Sequence, residues 1–361
     1  MGGMSPPASR TLRAADLEAL AVGLCLLGSG GAGDPQPFAS VLRSQLGDGE
    51  LVLQPPGGLT GASVVPVGMV GATSVFTEKL PHGGEFGAAV AATGRWTGAS
   101  PDAVMAIETA GLNGITALVA ALHLGLPYVD ADLAGRGLPR LDQLTWVAAQ
   151  LPLTPCALAF PGGHTLVVDR AFPAELERTI RAALAGTGGW AALALAPSSA
   201  ELLEETACVG TLGRALTLGR AHGSLRVMAD AAEVAEVLGG EVLGEGRVHD
   251  VLRHSSGGGL QPESSVTILD RHGPVIRIET ENEFLMVLVD GEPRSTVPDL
   301  ICLLDRRTNR PLAVDALRRG DDVFVVVLPA PAWWLGPGRL DRVSPAAFAI
   351  DSPPLLLGGR P

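Results

Sequence analysis

The chain has 361 residues, more than one hydrophobic core usually serves, so two domains are the default. A net charge of -12 and a pI near 5.0 leave no basic footprint for nucleic acid or anionic lipid, which makes a small molecule or a protein the expected partner. No stretch approaches the roughly 18 apolar residues of a membrane span, and Cys25, Cys156, Cys208 and Cys302 are scattered without a C-x-x-C pair, so a soluble, reduced, cytoplasmic protein without a disulfide scaffold or a thiolate zinc site is expected.

Arg10 and Arg13 precede an apolar run, but Asp16 and Glu18 interrupt it, so it reads as an amphipathic helix and not as a leader. Leu17, Leu20, Ala21, Leu24 and Leu27 recur at helical spacing, and Gly28 stands where a C-cap belongs. Then comes LGSGGAGDP, residues 27–35, in which Gly28-x-Gly30-x-x-Gly33 has the spacing of a dinucleotide loop. That fingerprint has meaning only where a strand runs in and a helix leaves. Here a helix runs in, and Asp34-Pro35 disfavours an immediate helix start. Nucleotide is therefore not expected, and the glycines are read as the end of a helix.

Ser63 to Val67 reads as a strand, and Thr77-Glu-Lys-Leu-Pro-His82 follows it. The chain has 26 basic residues, of which only Lys79 is lysine. Either something must be the last lysine, or Lys79 supplies a compact ammonium that a guanidinium cannot replace. The clearest unit runs from Asp102 to Asp132: a strand at 103–107, a turn at 109–114, a helix from Ile115 to Leu124, and a second, parallel strand from Pro127. Ligands of such sheets bind beyond the carboxyl ends of the strands. Glu108 ends one strand, and Asp130 and Asp132 end the next, so three carboxylates are expected at one edge. Asp130 and Asp132 would point the same way roughly 7 Å apart, with a repulsion of about 2.4 kcal/mol at an effective dielectric near 20. A cation, Arg136 or Lys79, or a retained proton would offset it. The alternative is that these aspartates cap a loop or the next helix.

A strand-then-helix pattern recurs at 191–195 and 200–206, which makes the first two-thirds α/β with a mostly parallel sheet. After about Gly240 the texture is all-β: strands are predicted at 266–269, 275–279, 284–289, 296–304 and 322–328, separated by turn signals such as Asp290-Gly291 and Gly320-Asp321. The Pro- and Gly-rich end is expected to wrap the surface. The resulting division is an N-terminal domain over 1–170 and a C-terminal domain over 171–361, with α/β character to about 245 and a β-rich module over 246–361. His249 and His254 are five apart, without H-x-H or H-x-x-x-H spacing, and no G-x-S-x-G is present, so neither a histidine zinc site nor a serine triad is indicated.

Long segments in order carry a resemblance: LGSGGAGDP at 27–35, VVPVGMVGATSVFTEKLP at 64–81, AVMAIETAGLNG at 103–114, LPYVDADLAGRGLP at 126–139, GTLGRALTLGRA at 210–221, IETENEFLMV at 278–287, TVPDLICLLD at 296–305 and VFVVVLPAPAWW at 323–334. On these the sequence resembles the S-methyl thiohydantoin desulfurase family, whose members are found beside hydantoinase and oxoprolinase-type proteins. The resemblance implies hydrolytic removal of sulfur from a thiohydantoin-like ring to give a hydantoin. Such a reaction needs a base for water, donors for developing charge and a proton for the leaving sulfur. Glu108, Asp130, Asp132 and Lys79 are the candidate catalytic residues. Gly30, Gly31, Asp34, Glu78, Asn113, Arg136, Asn282 and Glu283 are the candidate substrate-binding residues: the glycine loop would offer backbone N–H donors and close approach to a small ring or carboxylate-bearing substrate, and Asn282 and Glu283, like Asp299, either reach the site from the β module or are turn and packing positions. A divalent metal on the carboxylates is left open, and a homo-oligomer is expected from the high hydrophobicity. The segment Leu133 to Arg140 departs from the family pattern, with Leu133 where glycine is common and Arg140 where an acid is common, which leaves the exact substrate open. The runner-up function is a non-catalytic, ligand-binding accessory subunit of a hydantoinase-like assembly.

Overall fold

The computed structural model describes residues 9–72, 75, 81, 84–253 and 264–358. Glu78, Lys79, His82 and His254 lie outside them. Among the described residues the first sheet contains β1 (Arg10–Arg13), β2 (Glu50–Gln54), β3 (Ser63–Gly71), β4 (Ala103–Ala106), β5 (Tyr128–Val129), β7 (Cys156–Ala159), β8 (Thr165–Val168), β9 (Trp190–Leu195) and β10 (Ser198–Ser199). Its order is β1-β2-β5-β4-β3-β9-β7-β8, with β10 added to β3. The centre, β2-β5-β4-β3, is parallel, as the predicted β-α-β unit requires, and the flanks are antiparallel.

Helices α1 (Leu17–Gly28), α2 (Gln36–Leu46), α3 (Gly84–Thr97) and α4 (Gly111–Leu124) belong to the first half, with the short α5 (Thr145–Ala148) after β6 (Ala131–Asp132). Helices α6 (Pro173–Thr187), α7 (Ala200–Thr206), α8 (Thr211–His222) and α9 (Ala231–Leu238) follow, with β11 (Cys208–Val209) pairing β6. The strict period of two in the central strands divides two cores. Val104 and Ala106 of β4 face one core with Val65 and Val67 of β3, while Ala103 and Met105 face the other with Val64. The predicted turn at 109–114 is shorter than expected, because α4 already begins at Gly111.

The β module is one antiparallel sheet, β16-β15-β14-β13-β12-β19-β17-β18, built from β12 (Glu241–Arg253), β13 (Ser264–Asp270), β14 (Val275–Thr280), β15 (Phe284–Val289), β16 (Glu292–Thr296), β17 (Leu300–Asp305), β18 (Pro311–Leu312) and β19 (Asp322–Leu328). The predicted strand over 296–304 is two strands, since Pro298 has no N–H to give a ladder. One face of β17 and β19 (Ile301, Leu303, Val323, Val325) closes the module's own core. The other face (Leu300, Cys302, Leu304, Phe324, Val326) joins the core that holds α1 and α8. The module is thus welded to the α/β part through apolar burial, the dominant favourable term in association. The Pro-rich end does run over the surface, but Trp334, Val343 and Phe348 insert into the second core, and Trp334 Nε1 donates to Ala134 O at 2.7 Å. No helix among the described residues is long and apolar enough to cross a membrane.

Candidate active site

The glycine segment is the seam between the two sheets. Helix α1 ends at Gly28 as predicted, and Ser29 takes the left-handed C-cap conformation at φ 50°. Ser29 then behaves as a strand partner of the β module. Its N–H lies 3.2 Å from Leu26 O, its carbonyl accepts from Phe284 N at 2.8 Å, and its hydroxyl donates to Ile301 O at 2.8 Å while accepting from Ile301 N at 3.1 Å. Gly30, at φ 87°, lies against the Phe284 ring, where a Cβ would come within 2.3 Å, and its carbonyl accepts from Val314 N. The amide of Gly31 is spent on Gly28 O, so it is not a free donor as expected from the sequence. One further expectation is corrected. A helix does leave the loop, because Asp34 Oδ1 accepts from Gln36 N at 2.9 Å and α2 starts there, so what separates this loop from the dinucleotide pattern is the helix that enters it.

This pinning sets the tip between β14 and β15, Glu281 to Glu283, over the end of β4. There Glu108 and Glu283, 175 residues apart in sequence, line one cleft of about 2170 Å³ together with Gly30, Gly31, Asp34 and Asn113. Glu108 is 9% exposed and Glu283 3%. Leu138 N donates to Glu108 Oε2 at 3.1 Å, while Glu283 Oε2 has no hydrogen-bond partner among the described residues. Burial, the repulsion of Glu283 and the nearby charge of Asp132 hold the Glu108 carboxyl well above the usual glutamate range. Burial lifts Glu283 to about 8 against the pull of Arg136. Exposed Asn282 forms part of the rim, beside Arg140 and Glu281, which pair at 3.3 Å.

The three carboxylates predicted to converge do not. Only Glu108 opens into the cleft. Asp130 turns to the N-terminus of α8, where Leu212 N donates to Oδ1 at 2.8 Å and Gly213 N to Oδ2 at 3.1 Å, the helix-capping alternative. Asp132 is fully buried and accepts from the amides of Thr109 (2.5 Å), Gly135 (2.8 Å) and Ala134 (3.3 Å). The expected repulsion between the aspartates is thus met by backbone donors on divergent sides. Burial still lifts Asp132 to about 7, with those amides pulling it back. Among the described residues no three His, Cys, Asp or Glu side chains are grouped as metal ligands.

Asn113 is not a free donor. Its Oδ1 accepts from Met69 N at 2.7 Å and its Nδ2 donates to Met69 O at 3.3 Å, which continues the ladder of β3 where β4 has ended. Arg136 does not reach the cleft surface. It is completely buried, and its Nε and Nη1 donate to Gly137 O (2.9 Å) and Asp299 O (2.7 Å). Arg140, the departure from the family pattern, ties the rim together: it bonds Asp142, Glu281 and Ala347 O and lies over the Phe348 ring. The role of Ser29 was not read from the sequence, and Arg140 was singled out only as a departure from the family pattern, because their partners Phe284, Ile301, Glu281 and Ala347 lie more than 140 positions away.

The molecule is a two-part protein in which an α/β domain and an antiparallel β module share a core and enclose, at their seam, a cleft into which Glu108 and Glu283 open. Family models for the S-Me-THD-like N-terminal domain and the S-Me-THD-like C-terminal domain match residues 15–170 and 172–355, and the chain belongs to the S-Me-THD-like family. Among solved structures, a crystal structure of a protein from Chromobacterium violaceum, a structural-genomics target, is similar at 27% identity with a TM-score of 0.78, over 92% of this chain and 95% of that one. Comparison with curated proteins gave no match.

Proposed function

We propose that this protein is a hydrolase that replaces sulfur by oxygen on a thiohydantoin-like ring, with Glu108 and Glu283 as its acid–base pair. The observation that carries the reading is the pair itself: two buried carboxyl groups on one cleft, Glu108 with the Leu138 amide and Glu283 with one oxygen unpartnered among the described residues, where Asp132 holds three amides. Two such carboxyls share a charge poorly, so one ionises and the other keeps its proton. The ionised carboxyl takes a proton from water as its oxygen bonds to the sulfur-bearing ring carbon. The protonated one gives its proton to sulfur as the C–S single bond breaks, which releases a thiol from an S-alkylated ring, or hydrogen sulfide from a thione that reacts as its C(SH)=N tautomer; the hydroxyl left on carbon then passes its proton to the ring nitrogen to give the hydantoin carbonyl. Membership of the S-Me-THD-like family supports this chemistry, and the cleft accommodates a five-membered ring with substituents.

The test is sulfide release from 2-thiohydantoins by the purified protein, with total metal and chelator sensitivity measured alongside to decide whether a cation joins the pair. Glu108→Gln and Glu283→Gln are each expected to lower kcat by roughly 10² to 10⁴ while the fold persists. Turnover that survives both substitutions sinks the assignment. A wild-type protein that binds thiohydantoins without releasing sulfide would instead favour the accessory-subunit reading.

A further inference from the structure

We infer that the edge strand β8 is a dimer interface: two copies of this chain pair their β8 strands antiparallel about a twofold axis at Val167, which joins their first sheets into one. An exposed strand edge is a template for another strand, and proteins protect such edges with charge or proline. Among the described residues the two large sheets end in four edge strands, and three are protected in this way. β1 reads Arg10-Thr-Leu-Arg13, with Arg13 paired to Glu50 at 3.0 Å and Arg10 bonded to Gly213 O. β16 reads Glu292-Pro-Arg-Ser-Thr296, and β18 is Pro311-Leu312. Only β8, Thr165-Leu-Val-Val168, carries neither charge nor proline. Trp96 and Phe172, 56% and 78% exposed, stand at its end: Trp96 Nε1 donates to Asp169 Oδ1 at 2.9 Å, and Phe172 follows three residues after Asp169.

The register follows from the ladder. Phe160 N donates to His164 O at 3.0 Å, so along the β7–β8 pair residues 164, 166 and 168 turn their backbone groups toward β7, and Thr165, Val167 and Asp169 turn theirs outward. The strand of a second copy must therefore set outward residues against outward residues. Centred on Val167, the pairing sets Val167 against its own counterpart and Thr165 against Asp169 of the second copy, which employs the outward groups of all three. On the other side of the pleat Leu166 meets Val168 of the second copy. Both pack on the second core, which then runs on across the axis. The edge is its own complement, as an isologous contact requires. At their exposures the two aromatics offer roughly 300 Å² per copy and the strand edge about as much again, so the pair buries about 1,200 Å² in all, enough for a specific interface. None of residues 163–172 lines the cleft, so the dimer leaves the site open.

Sedimentation equilibrium of the purified full chain tests this, with an expected mass of twice 37.0 kDa at micromolar concentration. Val167→Pro removes an outward amide and no bond to β7, so it should fold with a Tm close to that of the wild-type protein and sediment as a monomer. Phe172→Glu, at an exposed position, should weaken dimerisation by roughly 30-fold or more. If Val167→Pro does not fold, hydrogen exchange of the wild-type chain replaces it. Amides in peptides spanning 163–170 should then exchange about tenfold more slowly at concentrations that favour the dimer, while those of β1 stay unchanged. A wild-type chain that stays monomeric to about 50 µM overturns the inference. So does a folded variant that keeps the affinity of the dimer, or exchange at β8 that does not respond to concentration.

Discussion

Two groups of buried carboxyls meet near the carboxyl ends of the parallel strands β4 and β5, with Glu283 reaching there from the β14–β15 tip, and they are built in opposite ways. On one side, Asp130 and Asp132 are saturated with backbone amides, from the start of α8 and from Thr109, Ala134 and Gly135. On the other, Glu108 has one amide, and one oxygen of Glu283 has none. Saturated carboxylates are structural: they satisfy donors that would otherwise be orphaned, and their lone pairs are occupied. Under-satisfied ones retain capacity to bind and move protons, at a cost to the fold that an ordinary site would not sustain. Position at a parallel strand end brings Glu108, Asp130 and Asp132 to this edge alike, and the count of donors separates them.

The largest expected effect breaks the comparison from the structural side. In Asp132→Asn one oxygen becomes an NH₂ facing a buried amide, a donor against a donor, which should cost about 2 to 3 kcal/mol of stability. The folded fraction should retain kcat within a few fold. Denaturant unfolding and turnover per folded molecule decide it, and a variant of normal stability without turnover would move Asp132 into the chemistry. A smaller effect probes the seam. A Cβ at Gly31 would sit 2.3 Å from Glu283 Oε1, so Gly31→Ala must push that carboxylate aside. Roughly a tenfold loss of kcat/KM is expected, from misplacement alone. An unchanged kcat/KM would show that the position of Glu283 is not critical.

Much of this was legible in the sequence, and what was not has a common cause. The β-α-β unit was readable because strand, turn and helix signals are local and strongly periodic. The long strand β12 was not, because Gly244 and Gly246 and alternating charges hide its pattern, and its register shifts beside both β13 and β19. Glu108 was placed correctly at a strand end, but its partner Glu283 was only a candidate among turn positions, since nothing local says that the β14–β15 tip will dock on the residues after α1. Asp130 and Asp132 were misplaced because extended-chain geometry puts alternate side chains on one face, whereas Asp130 stands between two short strands and turns toward α8. Lys79 and Glu78 lie outside the described residues.

The smallest expected effect sharpens the contrast through pH. Burial holds Glu283 near 8 and Asp132 near 7, both above their ordinary values, and Glu108 is raised as well. A carboxyl with a raised pKa binds its proton more tightly in the folded state than in the unfolded chain. Its contribution to stability is therefore complete below the unfolded value near 4 and is lost as pH rises through the folded value. Asp16 and Asp305 are lowered, and their contributions fail only on acidification below that value. Tm should consequently be highest near about pH 5 and fall by about 5 °C toward pH 8. Glu283→Gln should flatten the upper part of that fall, whereas Asp132→Asn should remove its lower part and depress Tm throughout. A Tm that rises between pH 5 and 8 would mean that these carboxyls ionise at ordinary values, and that the shortage of donors around Glu108 and Glu283 is made good by groups that differ from those around Asp130 and Asp132.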